Sequence, residues 1–276
     1  MLRLLVAEGN TPAGRRRIAE SAGATPAESY ADVLRAIAPD AVVDICTPAD
    51  ADGAAPRGLG AYDGVAITGS ALNIYKREIE SLRQIDFVRE IFARGIPMFG
   101  SCWGLQLAAV AAGGEVALNP AGREVAFARR ITLTAAGHDH PMHIDRDAVF
   151  DAPAMHSDIV TSLPQGSIVT ARNAMSEIQA AEIRLGQGVF WGVQYHPEYG
   201  LHDVAAMIRC VRQILVDAGF FADLTELDRY AADLSALDAN KQRRDIAWRL
   251  GLDQDIVSDR LRQTELSNWI AHQARR

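Results

Sequence analysis

Cysteine is scarce in this sequence: three in 276 residues, at Cys46, Cys102 and Cys210, with no C-x-x-C pair. That spacing supplies neither a disulfide framework nor a zinc site, and it suits a reducing cytoplasm. Long apolar runs are missing as well. The N-terminal "MLRLLVAEGN" is interrupted by Glu8 and is too short for a signal peptide, and no segment reaches the ~20 apolar residues a membrane span requires. Nor is there an excess of positive charge, since 28 Lys and Arg stand against 35 Asp and Glu for a net charge of -7. A surface that coats nucleic acid or an anionic membrane needs the opposite sign. What remains is an ordinary globular composition, 49% hydrophobic and 23% charged, in a chain long enough to bury a large core.

Over the first two-thirds of the chain, short β-type runs alternate with helical patterns. "LRLLVAE", "AVVDIC", "YDGVAITGS" and "IPMFG" read as strands. "ESYADVLRAIA", "EIESLRQIDFVREIFARG" and "SCWGLQLAAVAAGG" read as the helices between them. Strands apolar throughout, separated by helices, predict an open, mostly parallel, flavodoxin-like α/β sheet covered on both faces. "GREVAFARRITLT", "SIVTARN", "EIQAAEIRLG" and "VFWGVQYHPE" add further strands or hairpins, and "DVAAMIRCVRQILVDAG" returns as one helix. Beyond Gly219 the texture is densely charged and helical. The expected organisation is therefore an α/β domain over 1–218 and a helical C-terminal extension over 219–276.

Gly100-Ser101-Cys102-Trp103-Gly104 lies at a strand-to-helix junction and has the form of a nucleophile elbow, G-x-nucleophile-x-G. Small flanking residues permit the sharp turn, and the helix N-terminus favours a thiolate. A small buried cysteine in a glycine turn would give the same pattern, so the elbow by itself does not decide. Cys46, at the end of a plain strand, and Cys210, within an amphipathic helix, read as packing residues. "WGVQYHPE" supplies the rest: His196 and Glu198, two apart in an extended segment that Pro197 keeps extended, project to one side. A cysteine nucleophile needs a base, and the base needs a third group to fix its ring.

"GSCWGLQ" followed far downstream by "GVQYHPE" resembles the class I (triad-type) glutamine amidotransferase family over roughly residues 40–200, and "APAMHSDIVTSLPQGSIVTARN" is similar to the glutamine domain of GMP synthases. The resemblance implies hydrolysis of the glutamine γ-amide through a γ-glutamyl thioester on Cys102, with His196 as acid and base and Glu198 orienting it. It further implies an oxyanion hole from the backbone of Trp103 and of Gly69 or Ser70, and substrate contacts from Gln106, His156, Ser157 and Asp158. The family's Gly-Gly-Pro is replaced here by Gly69-Ser70-Ala71. No cofactor and no metal are implied. The ammonia released would pass to a synthase partner or to water, and a homo-oligomer is the other assembly considered. A glycine-rich G-x-x-x-x-G-K-[ST] phosphate loop is missing, so the chain is not expected to be a complete ATP-dependent synthase. The alternative is a γ-glutamyl peptide hydrolase, because the same thioester forms whether ammonia or a larger amine departs.

Two further signals compete. "GHDHPMH" clusters His138, Asp139, His140 and His143; a metal site is weighed there against a polar surface loop near the pocket, and the loop is expected. The tail has the cadence of a helix-turn-helix about Gly251, with Arg243, Arg244, Arg249, Arg260 and Arg262 for phosphates. Asp255, Asp259 and Glu265 would repel DNA, however. Trp248, Leu250, Ile256, Leu261, Leu266 and Trp269 predict a buried seam, so a packing appendage is expected rather than a regulatory DNA reader.

Overall fold

A computed structural model describes residues 1–274. The chain opens with β1 (Arg3–Ala7), α1 (Pro12–Ala22), α2 (Pro26–Ile37) and β2 (Val42–Cys46), then β3 (Gly64–Ile67), α3 (Ile79–Arg94), β4 (Met98–Ser101) and α4 (Trp103–Ala111). It continues through β5 (Glu115–Leu118), β6 (Glu124–Leu133), the short α5 (Ala135–His138), β7 (Val149–His156), β8 (Asp158–Ser162), β9 (Ile168–Arg172), β10 (Ala180–Leu185) and β11 (Gly188–Val193). Helices α6 (Leu201–Cys210), α7 (Arg212–Asp217), α8 (Leu224–Ala239), α9 (Arg244–Leu250), α10 (Gln254–Val257), α11 (Asp259–Arg262) and α12 (Thr264–Trp269) complete it.

Nine strands form one sheet in the order β2-β1-β3-β4-β11-β10-β9-β6-β7. The first five are parallel, in the flavodoxin-like order, and the remainder extend the sheet antiparallel. One face is closed by α2 together with Leu266, Trp269 and Ile270 from the C-terminus. The other is closed by α3 and α4. This topology puts the chain segments after β1, β3, β4 and β11 side by side at the carboxyl edge of the parallel block, where open α/β sheets hold their ligands.

Three differences from the sequence expectations matter. Helix α1 is absent from the sequence expectations because none of its residues is buried, so no apolar face betrays it; its signals are the Thr11 cap before it, Pro12 at its first position and Gly23 after it. The expected single helix over 203–219 is broken at Val211 (φ -116°, ψ 22°) into α6 and α7. No strand is expected around His156 from the sequence, yet it is the junction of two strands, β7 and β8. Pro153 falls within β7, which is the sheet edge, where a missing N–H is tolerated.

The C-terminal seam holds at Ile256, Leu266 and Trp269, all fully buried, but not at Trp248, which is 89% exposed. Helix α9 buries Ile246 and half-buries Leu250, four residues apart on one face, and Trp248 lies midway between them on the opposite face. Leu250 and Leu261 are half-buried. The arginines proposed for phosphates are largely engaged: Arg243 pairs with Asp245, Arg249 with Asp233, and the buried Arg262 with Asp259 and the Ile256 carbonyl.

The histidine-rich segment is not a surface loop beside the pocket. His138 and Asp139 are exposed, but His140 and His143 are buried, His140 edge-on to Trp191 of the sheet and His143 with Nδ1 3.4 Å from Glu265 of α12. His140 Nε2 lies 3.2 Å from Glu182, and His143 Nε2 lies 3.0 Å from Thr170 Oγ1. Among the described residues no group of three or more His, Cys, Asp or Glu is arranged to hold a metal ion. The segment instead docks the tail: Arg146 donates to both oxygens of Glu265, at 2.8 and 2.5 Å, with the Glu265 side chain fully buried. Burial raises the Glu265 carboxyl, but Arg146 and His143 outweigh it and hold it at about 2. Its stabilising contribution is therefore present above the ordinary carboxylate pKa and is lost only as pH falls toward 2. Glu265→Gln strands the Arg146 charge in the interior, and loss of about 3–5 kcal/mol of stability is expected, read as a lower urea midpoint.

Candidate active site

Cys102 sits between the end of β4 and the start of α4 with φ 53° and ψ -99°, a backbone conformation that L residues adopt at a cost and mostly at functional sites. The turn is held by its N–H, which donates to the Val193 carbonyl at 2.7 Å. The flanking glycines are required by close approach rather than by flexibility. A Cβ on Gly100 would lie 2.9 Å from the Gly104 backbone, and one on Gly104 would lie 2.9 Å from the Ile67 carbonyl. Side chains there would push α4 off β3 and β4 and displace the thiol.

His196 follows β11, the parallel neighbour of β4. Its N–H donates to the Pro153 carbonyl at 2.7 Å, its Nδ1 meets Glu198 Oε1 at 2.7 Å, and it lines the same cleft as Cys102. The ring stacks flat on Tyr199, with centroids 4.0 Å apart and planes 4° from parallel. Gly69 meets the Cε1 edge of the ring, where a Cβ would come within 2.6 Å. Burial lowers the His196 pKa, but the Glu198 charge and the hydrogen bond with Cys102 outweigh it and hold the ring at about 10. Glu198 is fixed in turn by Ser101 Oγ at 2.8 Å, itself 3.3 Å from the buried Tyr30 hydroxyl.

The other expected residues gather at the same edge. Gln106, one helical turn after Cys102, donates to the Asp158 carbonyl at 3.0 Å and to Gln194 Oε1 at 3.3 Å. The Asp158 carboxylate accepts from Asn73 at 2.7 Å and Tyr75 at 3.2 Å. His156 is tied to the Asp158 carbonyl and to Glu124. Gly69, Ser70, Gln106, His156, Ser157 and Asp158 line one cleft of ≈ 310 Å³ with Cys102 and His196. Trp103 does not line it by side chain; its indole is fully buried and donates to Gln84 at 2.9 Å. Its backbone N–H, at the first turn of α4, has no intrahelical acceptor.

Sequence reasoning missed the support beneath the Gly69-Ser70 turn. Asn10 Nδ2 donates to the Gly69 carbonyl at 3.1 Å, and Asn10 Oδ1 accepts from Ala71 N–H at 3.1 Å. Thr68 Oγ1 also donates to the Gly69 carbonyl. With that carbonyl pinned, a trans peptide aims the Ser70 N–H the opposite way. Asn10 is held by Glu8, which accepts from both its side chain and its N–H, at 2.8 and 2.9 Å. The signal is Glu8 itself, a buried carboxylate directly after the apolar strand β1, which by pattern alone is only a break in hydrophobicity. Arg123 was missed too: it lines the cleft, half-buried, and has no hydrogen-bond or ion-pair partner among the described residues. Cys210 also lines the cleft rather than serving only as packing, whereas burial pushes the Cys46 thiol up to about 12 and leaves it inert.

A cysteine on a strained strand-to-helix turn, paired to a histidine and a carboxylate at the edge of a flavodoxin-like sheet, defines a class of amide-transfer hydrolases. The model of the class-I glutamine amidotransferase family matches residues 39–209, and the chain belongs to that family. Among individual proteins it is similar to a γ-glutamyl-L-1-hydroxyisopropylamide hydrolase from a Pseudomonas species, 41% identical over 98% of this chain and 92% of that one. It is 35% identical to the glutamine-hydrolysing GMP synthase of Thiobacillus denitrificans, across 50% of this chain but only 26% of that protein. A glutamine amidotransferase from Methylobacillus flagellatus shares the fold with a TM-score of 0.65 at 17% identity, covering 98% of this chain and 95% of that one.

Proposed function

We propose that this protein hydrolyses the γ-amide of glutamine or of a γ-glutamyl amide, with Cys102 as nucleophile, His196 as acid and base, and Glu198 as the group that orients the ring. The observation carrying the reading is that His196, bonded to Glu198 and stacked on Tyr199, shares one cleft with Cys102, all three residues being buried. Cys102 Sγ attacks the γ-carbonyl carbon, and negative charge moves to its oxygen. The N–H groups of Trp103 and Ser70 receive that oxyanion; removing one such donor costs on the order of a hundredfold. His196 then gives its proton to the departing nitrogen as the C–N bond breaks, leaving a γ-glutamyl thioester. Water attacks the thioester, its proton passes to His196, and glutamate leaves as the thiolate is restored.

Arg123, unpaired among the described residues, suits the α-carboxylate of the glutamyl group, and Asp158 suits its α-ammonium. Gln106, His156 and Ser157 shape the same end of the cleft. The relative matched over nearly its whole length is named as a hydrolase, and the GMP synthases are matched only in part. A stand-alone hydrolase is therefore favoured over a subunit feeding a synthase. No described helix is long and apolar enough to cross a membrane, and three free thiols fit a reducing cytoplasm. A γ-glutamyl electrophile should label Cys102, with the modified peptide identified by mass spectrometry. Labelling spread over Cys46 and Cys210, with Cys102 untouched, would overturn the assignment.

A further inference from the structure

The two oxyanion donors assigned above, the N–H groups of Ser70 and Trp103, belong to segments remote in sequence: the turn after β3 and the start of α4. Both segments close on a third, the turn after β1, and Gly9 lies where they meet. A Cβ on Gly9 would come within 2.9 Å of both the Gly69 carbonyl and Trp103 Cδ1, and within 3.1 Å of Ser70 Cβ. The Gly9 N–H donates to Thr68 Oγ1 at 2.9 Å, and the Thr68 hydroxyl donates onward to the Gly69 carbonyl at 3.0 Å. The Gly9 carbonyl accepts from Gln84 Nε2 at 3.1 Å, and Gln84 Oε1 accepts from the Trp103 indole at 2.9 Å. The turn itself is anchored through Glu8, whose Oε2 accepts from the Ala27 N–H at the start of α2 at 2.9 Å. Glu8, Thr68 and Gln84 are fully buried, at 1%, 1% and 0% exposure.

We propose that Gly9 is the spacer of the oxyanion hole: with Thr68 on one side and Gln84 on the other, it sets how far the Ser70 N–H stands from the Trp103 N–H. The proposal rests on the hydrolase reading above, from which the two donors come. An oxyanion is stabilised only when both N–H groups lie about 3 Å from the same oxygen, and no local chain geometry couples Ser70 to Trp103. Gly9 supplies that coupling. Having no side chain, it lets both segments close on its backbone, while the bonds through Thr68 and Gln84 tie each of them to it. A frame of buried, mutually bonded groups preorganises the donors, so no reorganisation is required as charge develops on the oxygen. Gly9, Thr68 and Gln84 do not line the cleft. They are positioning residues that act through the two donors.

Gly9→Ala tests the spacer, because one added methyl group must drive the Ser70 turn away from Trp103. With glutamine and with γ-glutamyl methylamide, kcat should fall by about 10²-fold, the cost of misplacing a catalytic group by ~1 Å. KM should stay at its wild-type value, since the lost interaction is made only in the transition state. Inhibition by glutamate, which carries no oxyanion, and the shape of the pH profile, which His196 sets, should stay unchanged too. Thr68→Val, nearly isosteric, should lower kcat severalfold, and Thr68→Ser, which keeps the hydroxyl, should restore it. Rates are read well below each variant's thermal midpoint, so that an unfolded fraction does not contribute, and if Gly9→Ala does not fold the Thr68 pair carries the test. Wild-type kcat in Gly9→Ala, a loss confined to KM or to glutamate affinity, or a Thr68→Ser no better than Thr68→Val would overturn the spacer and leave the hydrolase reading intact. Failure of the wild type to turn over either amide, with no acylation of Cys102, would instead sink the hydrolase reading and the spacer with it.

Discussion

Cys102→Ser should lower kcat for γ-glutamyl amide hydrolysis by about 10⁴-fold or more, as loss of a nucleophile within a coupled catalytic unit does, while the protein stays folded. The backbone that presents the side chain does not depend on sulfur. Its positive φ is imposed by the Cys102 N–H bond to Val193 and by the glycine contacts that seat α4 on β3 and β4. Serine occupies nearly the same volume in a site where the cysteine is only 5% exposed, so the thermal midpoint should move by no more than a few degrees. What is lost is the nucleophilic sulfur. Amine release measured alongside thermal unfolding separates the two effects, and a serine variant with ordinary turnover would remove Cys102 from the mechanism.

Glu198→Gln should cost on the order of 10²–10⁴ in kcat/KM, by comparison with carboxylate-to-amide changes in related triads, and it should change the pH profile. Burial alone would lower the His196 pKa; it is the Glu198 charge, with the Cys102 hydrogen bond, that holds the ring at about 10. Because the folded-state value lies above the ordinary one, the protonated ring contributes stability fully below pH ~6.5, and that contribution is lost as pH rises through about 10. The acid needed for amine departure follows the same curve, so the wild-type alkaline limb should fall near pH 10. In the glutamine variant both the alkaline limb of activity and the high-pH loss of stability should move to lower pH. Glu198→Asp retains the charge and should keep more of the wild-type limb. A limb left in place by the amide variant would show that Glu198 does not set the ionisation of His196.

Both predictions turn on residues that were legible from local pattern. An elbow is a sequence-local object, because its flanking glycines and its strand-to-helix change sit within five positions, 100–104. His196 and Glu198 are two residues apart, and the extended backbone before Pro197 puts them on one side. The parallel strands are legible for a similar reason, since burial on both faces demands unbroken apolar runs. The sequence alone therefore determined the sheet, the elbow and the histidine–carboxylate pair.

Tertiary structure decided the rest, because those features depend on partners distant in the chain. Asn10 acts on a carbonyl 59 residues away, and nothing in "EGN" announces that. Helix α1 carries no buried residue, yet it forms one side of the cleft, so its role follows from where it packs and not from its own periodicity. The histidine cluster suggested a polar surface site. Its place in the interior became visible only when Glu265, more than a hundred residues later, proved to be the partner of Arg146 beside it. Trp248 faces solvent because α9 turns another face inward, and only the packing of α9 could choose that face. Local pattern sets which atoms can react; long-range contacts set their orientation.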